Sequence, residues 1–469
     1  MARAQRLRTI SSLLSTVRGS PVSRIGILLE ALRTRLLRSQ LAHDTGWSFI
    51  LRVAATGLAF LSAVLLARLL DADGYGVYAY ALALATLVFL PVQVGLPALI
   101  VRETARGHAL DQPALVKGIW VWAGRLTGGV ALVLAVGAVL FLLIENDGHL
   151  DTAAWTLIWA FLLMPLVALG ELRGAALRGL DKLLAGQFPE FILRPVALIA
   201  LLGVYALVVD QLTPSAAMAL RVIAATIAFG VGAWLLRKST PTSVRQAERR
   251  IESRLWLRSA LPLALVGGMV VVNSYADILM IGYWETADQV GIYKVATTAA
   301  ALGAFGLQAV NLVVAPRFVR LHAQNDIARL QRVVTGSARL ALVTSLGITA
   351  FLVVFGRPML KLAFGDQFIP AYGPLVILLG GQVVNSAAGS VGQLLNMTGH
   401  EKDTARAVAA AAVANVVMNL YFIPRWGVVG AAVASALSVI VWNGWLILAV
   451  RRRLGIDSTA LGFRQKVVE

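Results

Sequence analysis

Residues Asp73–Ala83 read DGYGVYAYALA, and residues Asp288–Thr298 read DQVGIYKVATT. Each is a short turn carrying Gly-x-Tyr, and each stands between two long apolar runs. Tyr78 and Tyr293 lie 215 residues apart in a chain of 469. A motif repeated at about half the chain length points to a duplicated unit, and the surrounding runs say what that unit is.

The chain is 58% hydrophobic and 14% charged, with a mean hydropathy of +0.76. Soluble domains carry about 25% charged residues, and one this apolar would expose large sticky patches. A membrane span takes about 20 mostly apolar residues. Twelve stretches qualify: Trp47–Leu70, Tyr75–Leu99, Lys117–Ile144, Ala153–Leu177, Leu184–Val209, Pro214–Leu236, Trp256–Trp284, Val290–Pro316, Gly336–Phe355, Tyr372–Met397, Thr404–Ile423 and Val428–Val450.

Lys and Arg outside these stretches divide unevenly. The two tails and the even-numbered breaks hold 32, counting Lys117, Arg173, Arg258 and Arg406 at the ends of the bounding stretches, and the odd-numbered breaks hold 3, namely Arg357, Lys361 and Arg425. Basic residues stay on the cytoplasmic side, so the count supports twelve spans with both termini cytoplasmic. It also accounts for most of the net charge of +18 without nucleic acid. The odd-numbered breaks are short, the longest being Gly356–Ala371, and leave no room for a soluble domain.

A second matched pair supports the duplication. GLDK at Gly179–Lys182 and GHEK at Gly399–Lys402 lie 220 residues apart and join corresponding spans of two six-span halves. Six is even, so the halves share one orientation, a parallel repeat about the membrane normal. The expected architecture is an all-α membrane protein of about twelve transmembrane helices, in two parallel six-helix lobes around a central cleft. The expected units are a basic N-terminal extension (1–46), a first lobe (47–236), a basic linker (237–255), a second lobe (256–450) and a cytoplasmic tail (451–469). Within the extension, Ile25, Leu28, Leu29, Leu32 and Leu36 share a helical face in Arg24–Leu41, which reads as an interfacial helix on anionic lipid. Residues 1–20 read as a disordered basic tail, and no signal-peptide pattern is expected there.

The sequence offers no catalytic constellation. Cysteine is absent and the five histidines are scattered, so no metal site is expected. There is no Walker A, Gly-x-Ser-x-Gly or His-Glu-x-x-His pattern, which argues against ATP-driven pumping and against hydrolysis within this chain.

Charges inside spans are the informative residues, because each is costly in hydrocarbon. They are Arg52, Arg125, Glu190, Arg194, Arg221, Asp277 and Lys294, with Arg68 and Arg339 within or close to span ends. Snorkelling toward headgroups suits Arg52, Arg194 and Lys294 near span ends, and suits Arg125 and Asp277 less. Glu190 and Arg194 are spaced for pairing on one helix. Positive charge dominates, which fits an anionic substrate such as a phosphate or pyrophosphate. Polar residues in spans, among them Asn273 and Asn311, are further cleft candidates beside the plainer reading of interhelical hydrogen bonds.

At this point the residues carry a family likeness. ARLLDADGYGVYAYALA, RGAALRGLDKLLAGQFPEFILRP, DILMIGYWETADQVGIYKVA and LLNMTGHEKDTARA followed by NVVMNLYFIPRWGVVGAAVAS together resemble the bacterial oligosaccharide flippases. These form the polysaccharide transporter branch of the multidrug/oligosaccharidyl-lipid/polysaccharide exporter superfamily. The resemblance runs from about residue 45 to 455 and rests on turn and packing signals.

It implies a multidrug-and-toxin-extrusion-like fold in the bacterial inner membrane. It further implies a non-enzymatic carrier of an undecaprenyl-pyrophosphate-linked oligosaccharide, a precursor of O-antigen, capsule or exopolysaccharide. Such a carrier is driven by an H⁺ or Na⁺ gradient and needs no cofactor. Its partners are expected to be membrane lipids and the glycan polymerase and glycosyltransferases of the same pathway. The resemblance assigns no site residue. From the charges themselves, the pyrophosphate is expected at Arg52 and Arg125. Arg221, Asp277 and Lys294 are left to contact sugar or couple an ion, with Arg194, Asn273 and Asn311 as further cleft candidates. The rival readings are a cation-coupled multidrug exporter that depends on Asp277, a glycan polymerase or ligase, and a non-transporting scaffold. The long Arg-rich extension departs from the family pattern.

Overall fold

The computed structural model describes the backbone of residues 21–93, 95–145 and 149–462, with side chains from Ile50 onward, Gln93 apart. Its elements are α1 (Pro21–Val88), α2 (Leu90–Gln93), α3 (Leu96–Ala109), α4 (Pro113–Glu145), α5 (Thr152–Gly179), α6 (Leu183–Val208), α7 (Pro214–Ser239), α8 (Thr242–Gln246), α9 (Ser253–Trp284), α10 (Ala287–Ala323), α11 (Ile327–Phe364), α12 (Tyr372–Ala388), α13 (Val391–Met397) and α14 (Glu401–Leu454). Among the described residues, 10 helices are long and apolar enough to cross a membrane. Two of these, α1 and α14, break in the middle, at Asp71 and Gly427. Each break yields two legs, so ten helices supply twelve crossings.

The breaks have local causes. Gly427 takes φ 55, which glycine adopts without steric cost. Asp71 takes φ 61 and ψ −178, a region that strains any residue with a Cβ. Gln367 of the other half holds it there: its Nε2 donates to the Asp71 carboxylate at 2.7 Å, and its Oε1 accepts from the Ala72 N–H at 3.1 Å. Three turns between helices use left-handed residues, Asp111, Asp181 and Asn325. Their short polar side chains lower the cost of that conformation.

The repeat has a definite register. The leg that follows Asp71 starts at Ala72, and its counterpart α10 starts at Ala287, a spacing of 215. The second matched pair needs a correction. Lys182 and His400 are the N-caps of α6 and α14, and the left-handed residues before them are Asp181 and Gly399. The structural spacing is therefore 218, and the letter match of GLDK with GHEK at 220 is two residues out of register.

The described residues from Leu51 onward form one compact unit, and the described residues up to Ile50 are a separate one. The interfacial helix expected over Arg24–Leu41 falls on helical backbone, but its side chains lie outside the described residues, as do residues 1–20 altogether. Within the larger unit the first lobe packs α5 against α4, α7 and α3, and the second packs α14 against α9 and α12. The outer faces leave Leu207, Val208, Ile144 and Val133 exposed, a surface that hydrocarbon satisfies and water does not.

The core is not evenly shared. Near the two Gly-x-Tyr hairpins one apolar cluster runs through both lobes, from Tyr75, Tyr78 and Leu66 to Ile281, Val290, Phe364 and Phe368. Toward the opposite ends it divides. One cluster there belongs to the second lobe around Phe318 and Leu394. The other belongs to the first lobe around Leu99 and Ile119, joined by Trp256 and Ala260 of α9. The lobes thus share one core at the hairpin end, and at the opposite end α9 of the second lobe still packs on the first. One placement differs from the sequence reading. Arg173, counted as a loop cation, lies inside α5 with its side chain 7% exposed.

Candidate functional site: a charged cavity between the lobes

Under the welded hairpins lies a cavity of about 690 Å³. Both legs of α1, with α6, α7, α9, α10, α12 and the second leg of α14, supply its wall. It reaches from Tyr75 and Tyr78 beside the hairpin to Thr56, far down the first leg.

The two repeated tyrosines sit at its head, and they do opposite things. Tyr78 accepts a hydrogen bond from Arg221 Nη1 at 2.7 Å, and the guanidinium lies 5.9 Å from the ring centroid. Tyr293 donates to the Asp277 carboxylate at 2.6 Å. The first lobe therefore presents a cation held by tyrosine, and the second an anion held by tyrosine.

Asp277 is 5% exposed and sits in a dense cage. Asn419 Nδ2 donates to its Oδ1 at 2.5 Å and to Asn415 Oδ1 at 3.1 Å. The Ser435 hydroxyl donates to its Oδ2. Asn415 and Asn419 are fully buried. The Asn419 Oδ1 is buried with no hydrogen-bond partner among the described residues. A buried acceptor without a donor is costly.

Arg194, Arg221 and Lys294 all line the cavity. Arg194 Nη1 pairs with Glu190 at 2.9 Å. Among the described residues, Lys294 Nζ has no hydrogen-bond or ion-pair partner. Its backbone carbonyl accepts from Thr297 and Thr298. Positive side chains from both lobes thus share one cavity whose single acidic lining residue, Asp277, is already held by three donors.

Of the residues singled out in the sequence, Arg194, Arg221, Asp277, Lys294 and Asn273 come together on this wall. Arg52, Arg125 and Asn311 are not part of its lining. Arg52 and Arg125 are exposed on the surfaces of α1 and α4. Asn311 is partly buried on α10, and its Oδ1 has no partner among the described residues. Sequence reasoning passed over Tyr78 and Tyr293 as site residues. Their signal was present, since both belong to the repeated motif. It also passed over Ser435 and the buried Arg173, for which nothing in the local sequence stands out.

Two like-oriented six-helix lobes around a charged cavity within the bilayer define a two-lobed membrane transporter. The comparisons carry the class to a family: residues 41–322 match the family of polysaccharide biosynthesis proteins, and the chain belongs to that family of oligosaccharide flippases. A Haloferax volcanii protein named "Probable low-salt glycan biosynthesis flippase Agl15" is 24% identical over 86% of this chain and 81% of its own length. A Shigella flexneri protein named as an O-antigen transporter is 24% identical over 84% of this chain and 94% of its own length.

Solved structures share the fold. The lipid II flippase MurJ in an inward closed conformation gives a TM-score of 0.70 at 12% identity, over 86% of this chain and 87% of that one. A multidrug resistance transporter of the multidrug-and-toxin-extrusion family in an inward-facing conformation gives 0.68 at 14% identity, over 87% of this chain and 98% of that one.

Proposed function

We propose that the chain flips a polyprenyl-pyrophosphate-linked oligosaccharide across the bacterial cytoplasmic membrane by alternating access. The observation that carries this reading is the cavity itself, in which Arg194, Arg221 and Lys294 converge from both lobes within membrane-spanning helices. Positive charge inside a bilayer, which at Lys294 has no partner among the described residues, is expensive and supports a place where an anion is received. A pyrophosphate with a sugar chain supplies the anion, and its polyprenyl tail stays in lipid. The named relatives point to the same cargo class.

In this reading the hairpin end faces the periplasm and is closed, and the cavity loads from the cytoplasmic leaflet, where precursors are built. The Asp277 cage is the coupling site. Its unpartnered Asn419 Oδ1, beside a carboxylate and Asn415 Oδ1, suits a proton or a Na⁺ ion. Cation entry there neutralises the second-lobe anion while the first-lobe cations hold the cargo, so one site can bias the lobes without touching the other's ligand.

The test is transport by the full-length protein in proteoliposomes, using a fluorescent polyprenyl-pyrophosphate disaccharide. Loss of the label from one leaflet is read by quenching. Arg221→Ala and Lys294→Ala are each expected to slow flipping at least tenfold. Wild-type rates in both variants overturn the reading.

A further inference from the structure

In the first lobe Arg194 does not stand alone. Glu190 Oε2 takes Arg194 Nη1 at 2.9 Å, and Glu190 Oε1 lies 3.6 Å from Arg173 Nη2. Arg173 is in turn fixed from behind. Its Nη1 donates to the Phe229 carbonyl, its guanidinium lies 4.3 Å from the Phe229 ring centroid, and its side chain is 7% exposed. One carboxylate is therefore clamped between a buried arginine and one on the cavity wall.

The surrounding backbone is shaped for this clamp. A Cβ on Gly232 would stand 2.6 Å from Arg173 Nε, and one on Gly170 would stand 2.3 Å from Glu190 Oε1. A side chain at either place would push the clamp's own groups aside. The helix carrying Glu190 and Arg194 widens into a π turn over Pro189–Leu193, with the Arg194 N–H reaching back to the Pro189 carbonyl. Pro195 follows directly. Its missing N–H and its ring disfavour the ordinary bond to residue 191, which accounts for the wider turn. π turns of this kind concentrate at functional sites.

Glu190 is shared by two arginines, the Glu171 carboxylate also lies within electrostatic reach of Arg194, and Arg194 is the member that lines the cavity. Its Nη1 is committed to Glu190. Among the described residues no partner is recorded for Nε or Nη2, which leaves further donors of the rigid fork free.

We propose that Glu190, anchored by buried Arg173, is a positioning residue: it holds Arg194 extended on the cavity wall with its free donors aimed at an incoming anionic group. This rests on the anion reading above. A carboxylate that grips one end of a guanidinium removes most of the arginine's rotamer freedom before the ligand arrives, so binding loses less ordering entropy.

The test is a double-mutant cycle on the purified full-length protein, with farnesyl pyrophosphate as the probe and binding followed by titration calorimetry. Arg194→Gln is expected to weaken binding at least tenfold. Glu190→Gln is expected to weaken it about tenfold in the wild-type background and to have no further effect on top of Arg194→Gln. Glu190→Asp is expected to recover part of the loss. Thermal unfolding of each variant separates a folding defect from a binding one. Equal effects of Glu190→Gln in both backgrounds, or tighter binding by that variant, overturn the positioning role and leave the anion site standing. Failure of the wild-type protein to bind the probe at all removes the anion reading and this role together.

Discussion

Gly76 and Gly291, the glycines of the two Gly-x-Tyr motifs, lie against one another across the boundary between the lobes. A Cβ on Gly76 would stand 1.7 Å from the Ala287 carbonyl oxygen and 3.1 Å from the Gly291 nitrogen. A Cβ on Gly291 would stand 2.2 Å from the Ala72 carbonyl oxygen and 3.1 Å from the Gly76 nitrogen. Backbone meets backbone there, and only a residue without a side chain permits it. Gly76→Ala is expected to leave each lobe folded and to keep the hairpins from closing. Pulsed electron resonance between spin labels on Asp73→Cys and Asp288→Cys should show a longer, broader distance distribution, with flipping at least tenfold slower. The chain has no cysteine of its own, so the labels report without background. An unchanged distribution in the alanine variant contradicts the seal.

The cavity wall separates two groups of intramembrane cations. Alanine at Arg221 or Lys294 is expected to lower transport at least tenfold. Alanine at Arg52 or Arg125, which are exposed and outside the lining, should stay within about threefold, since surface charges contribute little to a buried ligand. Parallel initial rates in proteoliposomes decide this. A large loss at Arg125 with none at Lys294 would move the cargo site to another face.

The Asp277 cage makes a separate prediction. Asp277→Asn keeps the side-chain volume and removes the charge, so the variant is expected to fold and to lose its response to an imposed Na⁺ or pH gradient. Gradient-dependent flipping that survives in this variant removes Asp277 from coupling. Tyr293→Phe takes away one of the three donors to a buried carboxylate and is expected to lower stability by about 1–3 kcal/mol. A fall in melting temperature reads it.

The C-terminal segment carries a pH signature. Burial alone would raise the Asp457 carboxyl, but the Thr459 N–H and hydroxyl and the Arg451 guanidinium outweigh it, so the group sits below the usual carboxylate range. A depressed carboxylate contributes stability above its unfolded value of about 3.9, and that contribution disappears as pH falls through the folded value. The segment docks through Gln331, which exchanges two hydrogen bonds with the Asp457 backbone, and through Arg339, which donates to the Ala460 carbonyl. Hydrogen exchange at Asp457 and Ala460 should be slow above about pH 5 and should quicken below about pH 4. Asp457→Asn should be fast throughout, and equal protection in that variant contradicts the assignment.

The sequence displayed some of this and concealed the rest for physical reasons. Hydropathy over about 20 residues reports crossings directly, and the orientation of the two halves follows from an even count. The bends at Asp71 and Gly427 stayed hidden, because a polar turn reads the same whether the helix stops or folds over. Depth of a charge along a helix is countable, but its direction is not. Arg125 lies well inside its span and is exposed off the cavity lining, while Lys294 lies one turn inside its own and lines the cavity. Direction depends on which neighbours each helix packs against, and one helix does not state that. Arg173 shows the same limit. It stands near the end of an apolar run, and its partner Glu190 lies on the next helix.

The seal at Gly76 and Gly291 has an ancestral reading. Two half-length chains inserted the same way round would meet at this glycine as a symmetric pair, each copy offering the same surface to the other. Fusion into one polypeptide released the halves from identity, and the charged positions show where they parted. Lys294 corresponds to Ala79, Arg194 to Ala412 and Asp277 to Ser62, and Arg221 falls opposite Ser435–Val439, a stretch without charge. Every charge on the wall therefore occurs in one half only. If the cargo is, as proposed, anionic at one end and neutral at the other, that lopsidedness suits it, and a symmetric homodimer of a six-helix unit would not have offered it.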